Sequence, residues 1–160
     1  ESHGYKSNSN TNGYDGSNGR RAHLHPDGKH FNVDSTTNGI QFVAYIWKEI
    51  EGFSKFGAYA GNGSSDGTFV YCGFRPAFVL FVKAASGENW RIIDSARDSW
   101  NQAQKQNFVS SGNAESSETG FDFCANGFKA RSNDGHINGT DAMYLYMAFA
   151  ETPFKYATGR

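Results

Sequence analysis

Short apolar and aromatic runs, separated by Gly, Asn, Ser and Asp, characterise the chain from Phe31 onward. Runs of this length at a spacing of about 8–12 residues are typical of strands in an all-β protein. The intervening "GNGSSDG" (61–67) and "SNDGHINGTD" (132–141) carry the residues that tight turns require. Strands are therefore predicted near residues 40–48, 57–60, 68–73, 77–84, 89–94, 105–109, 120–124, 127–131 and 142–150.

The same pattern predicts the fold class. No segment keeps a 3.6-residue apolar period long enough for a helix, and only residues 95–106 could form a helical turn or two. The runs "FVLFVKA" (78–84) and "MYLYMAFA" (143–150) are rich in aromatic and aliphatic residues, as central strands are. We expect an antiparallel β-sandwich of jelly-roll-like type. Residues 1–30 are polar and predict an extended N-terminal arm or loop.

Two stretches of the chain resemble each other at a spacing of about 100 residues. Aligning Glu49 with Glu151 brings "QFVAYIWKEIEGFSKF" (41–56) onto "MYLYMAFAETPFKY" (143–156). One interpretation is that residues 31–56 are the C-terminal part of a first repeat unit and that residues 57–160 are a complete second unit. The alternative is that two β-hairpins share a similar composition.

Composition and charge exclude several classes of protein. Aromatic residues make up 16% of the chain, which is more than a disordered protein carries. The formal net charge of −1 offers no basic surface for nucleic acid. No apolar stretch approaches the roughly 20 residues of a membrane helix. The polar start has no signal-peptide pattern, so we expect either a chain that is cytosolic when made or a fragment of a longer one.

The two cysteines, Cys72 and Cys124, each lie in an apolar-aromatic run. Small buried thiols are the simpler interpretation, because free cysteine is commonly buried. A disulfide between neighbouring strands is the alternative.

A histidine-rich segment is the candidate metal site. His23 and His25 would point to the same side of an extended strand, and His30 follows five residues later. Imidazoles at i and i+2 are a usable pair of ligands for a transition metal, and three copies around a threefold axis would close the site. A solvated arm without metal is the alternative.

Two carboxylates in "DSARDSW" (94–100) are the candidate catalytic pair. Asp94 and Asp98 are four residues apart and could approach the separation that a glycosidase needs. However, Arg97 lies between them and suits a salt bridge. A structural Asp–Arg network in a turn is therefore the competing interpretation, and no nucleophile-elbow motif supports an enzyme.

Exposed aromatic side chains near Asn and Asp are the expected ingredients of a glycan-binding site. Trp100 and Tyr59 fit this description, and packing in the core or at a domain interface is the alternative for Trp100. The candidate glycan-binding residues are Trp100, Asn101, Asp98, Arg97 and Tyr59.

Four motifs occur in order along the chain. They are "EGFSKFG" (51–57), "GFRPAFVL" (73–80), "NWRIIDSARD" (89–98) and "MAFAETPFK" (147–155). With these motifs the chain resembles uncharacterised repeat β-domains at the C-terminal end of tailed-phage virion and tail-fibre-like proteins, especially of marine and cyanobacterial viruses. The resemblance covers about residues 42–160, whereas residues 1–30 do not match.

The resemblance implies a bacteriophage virion protein, made in the host bacterial cytoplasm and present in the extracellular particle. We expect a non-enzymatic tail-fibre or host-attachment module with cell-surface glycan as its candidate ligand. Alternatives are a capsid decoration or other structural virion protein and, more distantly, a glycan hydrolase. The implied partners are further copies of the chain, as a homotrimer, and other virion proteins, with no nucleic acid or membrane. No cofactor is expected apart from a metal at the histidines.

Overall fold

Two separate sheets organise the chain in the computed structural model, which describes residues 21–24, 31–34, 47–85 and 88–151. The chain divides into two compact units, Glu1–Ile46 and Trp47–Arg160. The first contains a two-stranded antiparallel sheet, and the second contains an eight-stranded one. The described residues contain no helix, so residues 95–106 form no helical turn of the kind the sequence allowed.

The sheet of the first unit is a hairpin. Strand β1 (Arg21–Leu24) pairs with β2 (Phe31–Asp34), with Arg21 opposite Asp34 and Leu24 opposite Phe31. The sequence predicted only a loop or extended arm for residues 1–30. Four residues are too few for an apolar–polar alternation to be recognised in the sequence. The two strands become evident only from their pairing with each other.

The second unit follows the predicted strands closely. Seven of its eight described strands both begin and end within three residues of their predicted ranges, and β8 begins four residues earlier than predicted. The predicted strand at 40–48 lies mostly outside the described residues. The compact unit begins at Trp47, and β3 contains residues from both sides of the expected repeat boundary at 56/57. The strands are β3 (Ser54–Ala60), β4 (Phe69–Tyr71), β5 (Pro76–Lys83), β6 (Arg91–Asp94), β7 (Ala103–Phe108), β8 (Ser116–Cys124), β9 (Gly127–Ala130) and β10 (Met143–Ala150).

All pairs in this sheet are antiparallel, in the order β3-β10-β5-β6-β7-β8-β9-β4. The two edge strands, β3 and β4, are neighbours in sequence. The sheet curls until it is nearly closed, so that Phe81 of β5 meets Phe121 of β8 with ring centroids 4.9 Å apart. The predicted all-β antiparallel sandwich is thus confirmed, and its two walls are halves of one continuous sheet.

Aromatic rings fill the space between the two walls. Phe81, Phe121, Phe128 and Tyr144 are fully buried. The ring of Phe121 packs edge-on against Phe81 and tilted against Phe128. Tyr146 of β10 reaches Phe128 of β9 across the interior at 5.3 Å. Large aromatic side chains bury much apolar area each, so this cluster is the main source of stability in the unit.

The outer surface of β5 and β10 is apolar as well. Phe149 lies there, half-buried, and its ring is approached edge-on by Phe53, Phe56 and Phe78 at 5.7–5.9 Å. Next to it, Met147 lies opposite Leu80. Strands that are apolar on both faces are typical of sheets covered on both sides. The continuous apolar runs in the sequence are explained by these two faces.

The loop between β9 and β10 is held by a buried amide. Asn138 is fully buried, and its Oδ1 accepts a hydrogen bond from the Asn62 backbone N–H at 3.0 Å. Its Nδ2 lies 2.7–2.9 Å from three oxygens, which share two hydrogens: Asn62 Oδ1, the Ser64 carbonyl and the Ser132 carbonyl. This one side chain therefore joins the β3–β4 loop to the β9–β10 loop.

Candidate functional site

The turn that follows β6 is built around Asp94. Its Oδ1 accepts hydrogen bonds from the backbone N–H groups of Ala96 (3.1 Å) and Arg97 (2.9 Å), as in an Asx turn. Its Oδ2 accepts a hydrogen bond from Arg97 Nε at 2.7 Å, and Arg97 Nη1 also reaches Glu115 Oε2 at 3.3 Å. Partial burial raises the pKa of Asp94, but the hydrogen bonds and charge of Arg97 outweigh it, and the net pKa is lowered.

Asp98 closes the same turn from its other end. Its Oδ2 accepts hydrogen bonds from the backbone N–H groups of Gln104 (2.7 Å) and Lys105 (2.9 Å), near the start of β7. These two bonds lower the pKa of Asp98. Both carboxyls hydrogen-bond this turn, as the structural interpretation of "DSARDSW" predicted.

Asn101 ties the end of this turn to the sheet. Its Oδ1 accepts a hydrogen bond from the Phe123 backbone N–H at 2.9 Å, and its Nδ2 donates one to the Phe123 carbonyl at 3.2 Å. The side-chain amide thus makes the two hydrogen bonds with Phe123 that the backbone of a paired strand would otherwise make. Both polar atoms of its side chain bond the backbone of β8, so Asn101 positions the turn.

Trp100 lies between these two anchors and is 84% exposed. Packing in the core, the alternative for this residue, is thereby excluded. A tryptophan ring that is held in water by a well-bonded turn is uncommon in a folded domain, because its burial would be favourable. Trp100, Asn101, Asp98 and Arg97 are therefore brought together in one turn, and Trp100 presents the largest exposed side chain among them.

Tyr59 does not belong to this site. Its side chain is only 6% exposed, its hydroxyl donates a hydrogen bond to the Ile137 carbonyl at 2.8 Å, and its ring stacks on Tyr144. The proposed role of Tyr59 in ligand binding was wrong because the alternation of β3 directs it inward. Burial, and to a lesser extent the nearby Tyr144, raises the pKa of Tyr59.

The histidine site falls largely outside the described residues. His25 and His30 are not among them, and only the backbone of His23, in β1, is described. Among the residues that the structure does describe, no group of three or more His, Cys, Asp or Glu side chains could hold a metal ion. The metal interpretation therefore stays a prediction.

Both cysteines are free thiols. Cys72 is buried, and burial raises its pKa to about 12, whereas Cys124 is half-buried at the end of β8. The buried-thiol interpretation is confirmed for Cys72, and the disulfide alternative was wrong.

Two exposed aromatic residues on β4 were missed. Phe69 is 44% and Tyr71 is 64% exposed, and both flank Val70, which is buried. The signal in "TFVYC" (68–72) is the i, i+2 spacing of two aromatics around an aliphatic residue on a short strand. Side chains alternate along a strand, so the burial of Val70 places the two rings on the outward face. The sequence alone does not show which of the three residues is buried.

Residues 6–153 match a protein family that is described as a domain of unknown function, DUF7483. The chain belongs to the DUF7483 family. No curated protein and no solved structure matches it. The DUF7483 match includes β1–β10, so both compact units are part of the family's sequence.

No helix in the described part of the chain is long and apolar enough to span a membrane.

Proposed function

We propose that the chain is a non-enzymatic module of a bacteriophage virion, in a tail fibre or other host-attachment appendage, and that it binds cell-surface glycan. The four ordered motifs from "EGFSKFG" to "MAFAETPFK" support the virion context through the resemblance they carry. Self-association, as a homotrimer, and contacts with other virion proteins are part of this proposal.

The exposure of Trp100 carries the glycan-binding part of the proposal. A flat apolar ring with a polar surrounding can stack on the C–H face of a sugar while its neighbours hydrogen-bond the hydroxyls. Asp94, Asp98 and Asn101 hold the Trp100 turn to β6, β7 and β8. The ring is thereby presented without the entropy loss that ordering a mobile loop would require.

A purely structural virion protein, such as a capsid decoration, is the second candidate. The observation that favours it is the apolar outer surface of β5 and β10, where Leu80, Met147 and Phe149 lie. An apolar sheet face suits contact with a neighbouring subunit. The two candidates differ in whether Trp100 has a ligand.

A glycan array and a whole-cell adsorption assay test the proposal. We expect the wild-type chain to bind, Trp100→Ala to lose at least tenfold in affinity, and Trp100→Phe, which keeps a ring, to retain most of it. Met143→Ala removes another exposed apolar side chain and serves as the control, with unchanged binding. Absence of binding by the wild type, together with a location on the capsid shell, would favour the structural candidate. Release of reducing sugar from host polysaccharide, lost in Asp94→Asn, would favour a hydrolase.

A further inference from the structure

Asn-Gly pairs occur at three places in the second unit, and the structure holds them very differently. The described residues contain the pairs that begin at Asn62, Asn126 and Asn138. An asparagine that precedes a glycine can cyclise, because no side chain on the glycine hinders the approach of its backbone nitrogen to the asparagine Cγ. Whether this happens in a folded protein depends on whether the two groups are free to meet.

The reacting groups of the Asn62–Gly63 pair are both held by hydrogen bonds. Asn62 Oδ1 accepts from the Ser64 backbone N–H at 3.0 Å and from Asn138 Nδ2 at 2.7 Å. Asn62 Nδ2 donates to the Asp66 carbonyl at 3.2 Å. The Gly63 N–H donates to the Asn138 carbonyl at 2.8 Å. Neither the amide nor the nitrogen can turn toward the other without breaking these bonds.

The Asn138–Gly139 pair is held more firmly still. The Asn138 side chain is fully buried, and its amide joins the two loops described above. The Gly139 N–H donates to the hydroxyl of Tyr144 at 2.7 Å, and Tyr144 is itself fully buried. Cyclisation of Asn138 would therefore require the β9–β10 loop to unfold.

The side chain of Asn126 has no such restraint. Asn126 and Ala125 form the two-residue turn between β8 and β9, and both are exposed. Among the residues that the structure describes, none hydrogen-bonds the Asn126 side-chain amide. Gly127, the next residue, lies opposite Cys124 at the end of the hairpin. Opening this turn moves two exposed residues and no core side chain, so it should cost less than opening either loop above.

We propose that Asn126–Gly127 is a site of spontaneous deamidation and isoaspartate formation in the folded protein, and that Asn62 and Asn138 are protected. The Gly127 nitrogen forms a bond to Asn126 Cγ while the bond from Cγ to Nδ2 breaks, and ammonia leaves with the proton of the Gly127 N–H. Water then opens the succinimide ring. Attack of water at Cγ gives aspartate, and attack at the main-chain carbonyl carbon gives isoaspartate.

Isoaspartate at this position should loosen β4. It adds one carbon to the main chain and turns the Asn126 carbonyl into a side-group carboxylate. That carbonyl now accepts hydrogen bonds from the N–H groups of Cys72 (2.9 Å) and Gly73 (3.1 Å), directly after β4. Gly127 cannot move toward β4 to absorb the extra length, since even a Cβ there would lie 2.0 Å from the Val70 carbonyl oxygen.

The test incubates the full chain at mildly alkaline pH, with and without urea, and maps the products by mass spectrometry. Trypsin places the three asparagines on separate peptides. In the folded protein we expect Asn126 to convert at least about tenfold faster than Asn62 and Asn138, and in urea we expect similar rates at all three. Hydroxylamine, which captures the succinimide, should cleave the folded chain after Asn126. Asn126→Gln, which would need a larger ring, should abolish both products.

Two results would overturn the site: conversion of Asn62 or Asn138 as fast as that of Asn126 in the folded protein, or no conversion of folded Asn126 once the urea sample has reacted. Iodoacetamide labelling of Cys72, in a Cys124→Ser background, tests the effect on β4. Aged protein with Asn126 should be labelled faster than aged Asn126→Gln. Asn126→Asp, which has the charge without the extra carbon, should be labelled as slowly as fresh protein. Equal labelling of the two aged proteins would refute the effect on β4.

Discussion

The ring of Tyr59 stacks on the ring of Tyr144, with centroids 4.9 Å apart, and the two hydroxyls donate to carbonyl groups of a single loop. Tyr59 binds the Ile137 carbonyl, and Tyr144 binds the Gly135 carbonyl at 2.7 Å. Tyrosine hydroxyls from two neighbouring strands, β3 and β10, thereby hold the β9–β10 loop in its conformation. The stability of this loop should depend on the hydroxyls as well as on the rings.

Tyr144→Phe should reduce the free energy of unfolding by about 1–3 kcal/mol. The variant keeps the ring but leaves the Gly139 N–H and the Gly135 carbonyl without their partner. Urea denaturation measures the change. Tyr71→Phe, which removes a hydroxyl from an exposed ring, is the matched control and should be nearly neutral. Equal effects of the two changes would contradict this account of Tyr144.

Asn138→Ala should cost about 2–4 kcal/mol of unfolding free energy, because several buried polar groups lose their partner together. The groups include the Asn62 N–H and the carbonyls of Ser64 and Ser132. Chemical denaturation of this variant can be compared with that of Asn113→Ala, at an exposed position. A small effect at Asn138 would mean that water replaces the amide without loss.

Asp94→Asn should lower stability at pH 7 by less than about 1 kcal/mol, and the difference from wild type should shrink in acid. The folded-state pKa of Asp94 is lowered, so its contribution is present above the ordinary Asp pKa of about 3.9 and is lost as the pH falls through the folded value. Denaturation midpoints between pH 7 and pH 2.5 measure this. Parallel curves for the two proteins would show that Arg97 does not stabilise the Asp94 carboxylate.

Cys72 should resist alkylation in the folded protein. With a pKa of about 12, roughly one thiol in ten thousand is ionised at pH 8, and the side chain is buried. Mass spectrometry after iodoacetamide treatment, with and without urea, measures the modification in a Cys124→Ser background. Rapid labelling without urea would indicate that this end of β4 opens locally.

Much of the second unit could be predicted from the sequence, because strands of three to nine residues with turn chemistry between them leave a clear pattern. The local network of Asp94 and Arg97 was also foreseeable, since the two residues are three apart. Features that depend on contacts between residues far apart in the sequence could not be predicted. Which side of β3 faces the interior, and which strands lie beside β4 and β8, depend on pairings between distant strands. A short strand such as β1 shows no pattern until its partner is known.

The last strand of the sheet in chain order, β10, lies between β3 and β5. During translation, β3 cannot pair with β10 until residue 150 has left the ribosome, whereas the meander from β5 to β9 can form earlier. Such pairings between distant residues are slow to form. A nascent chain interrupted before Met143 would expose the apolar flank of β5, so a premature stop should yield an aggregating product rather than a smaller folded one.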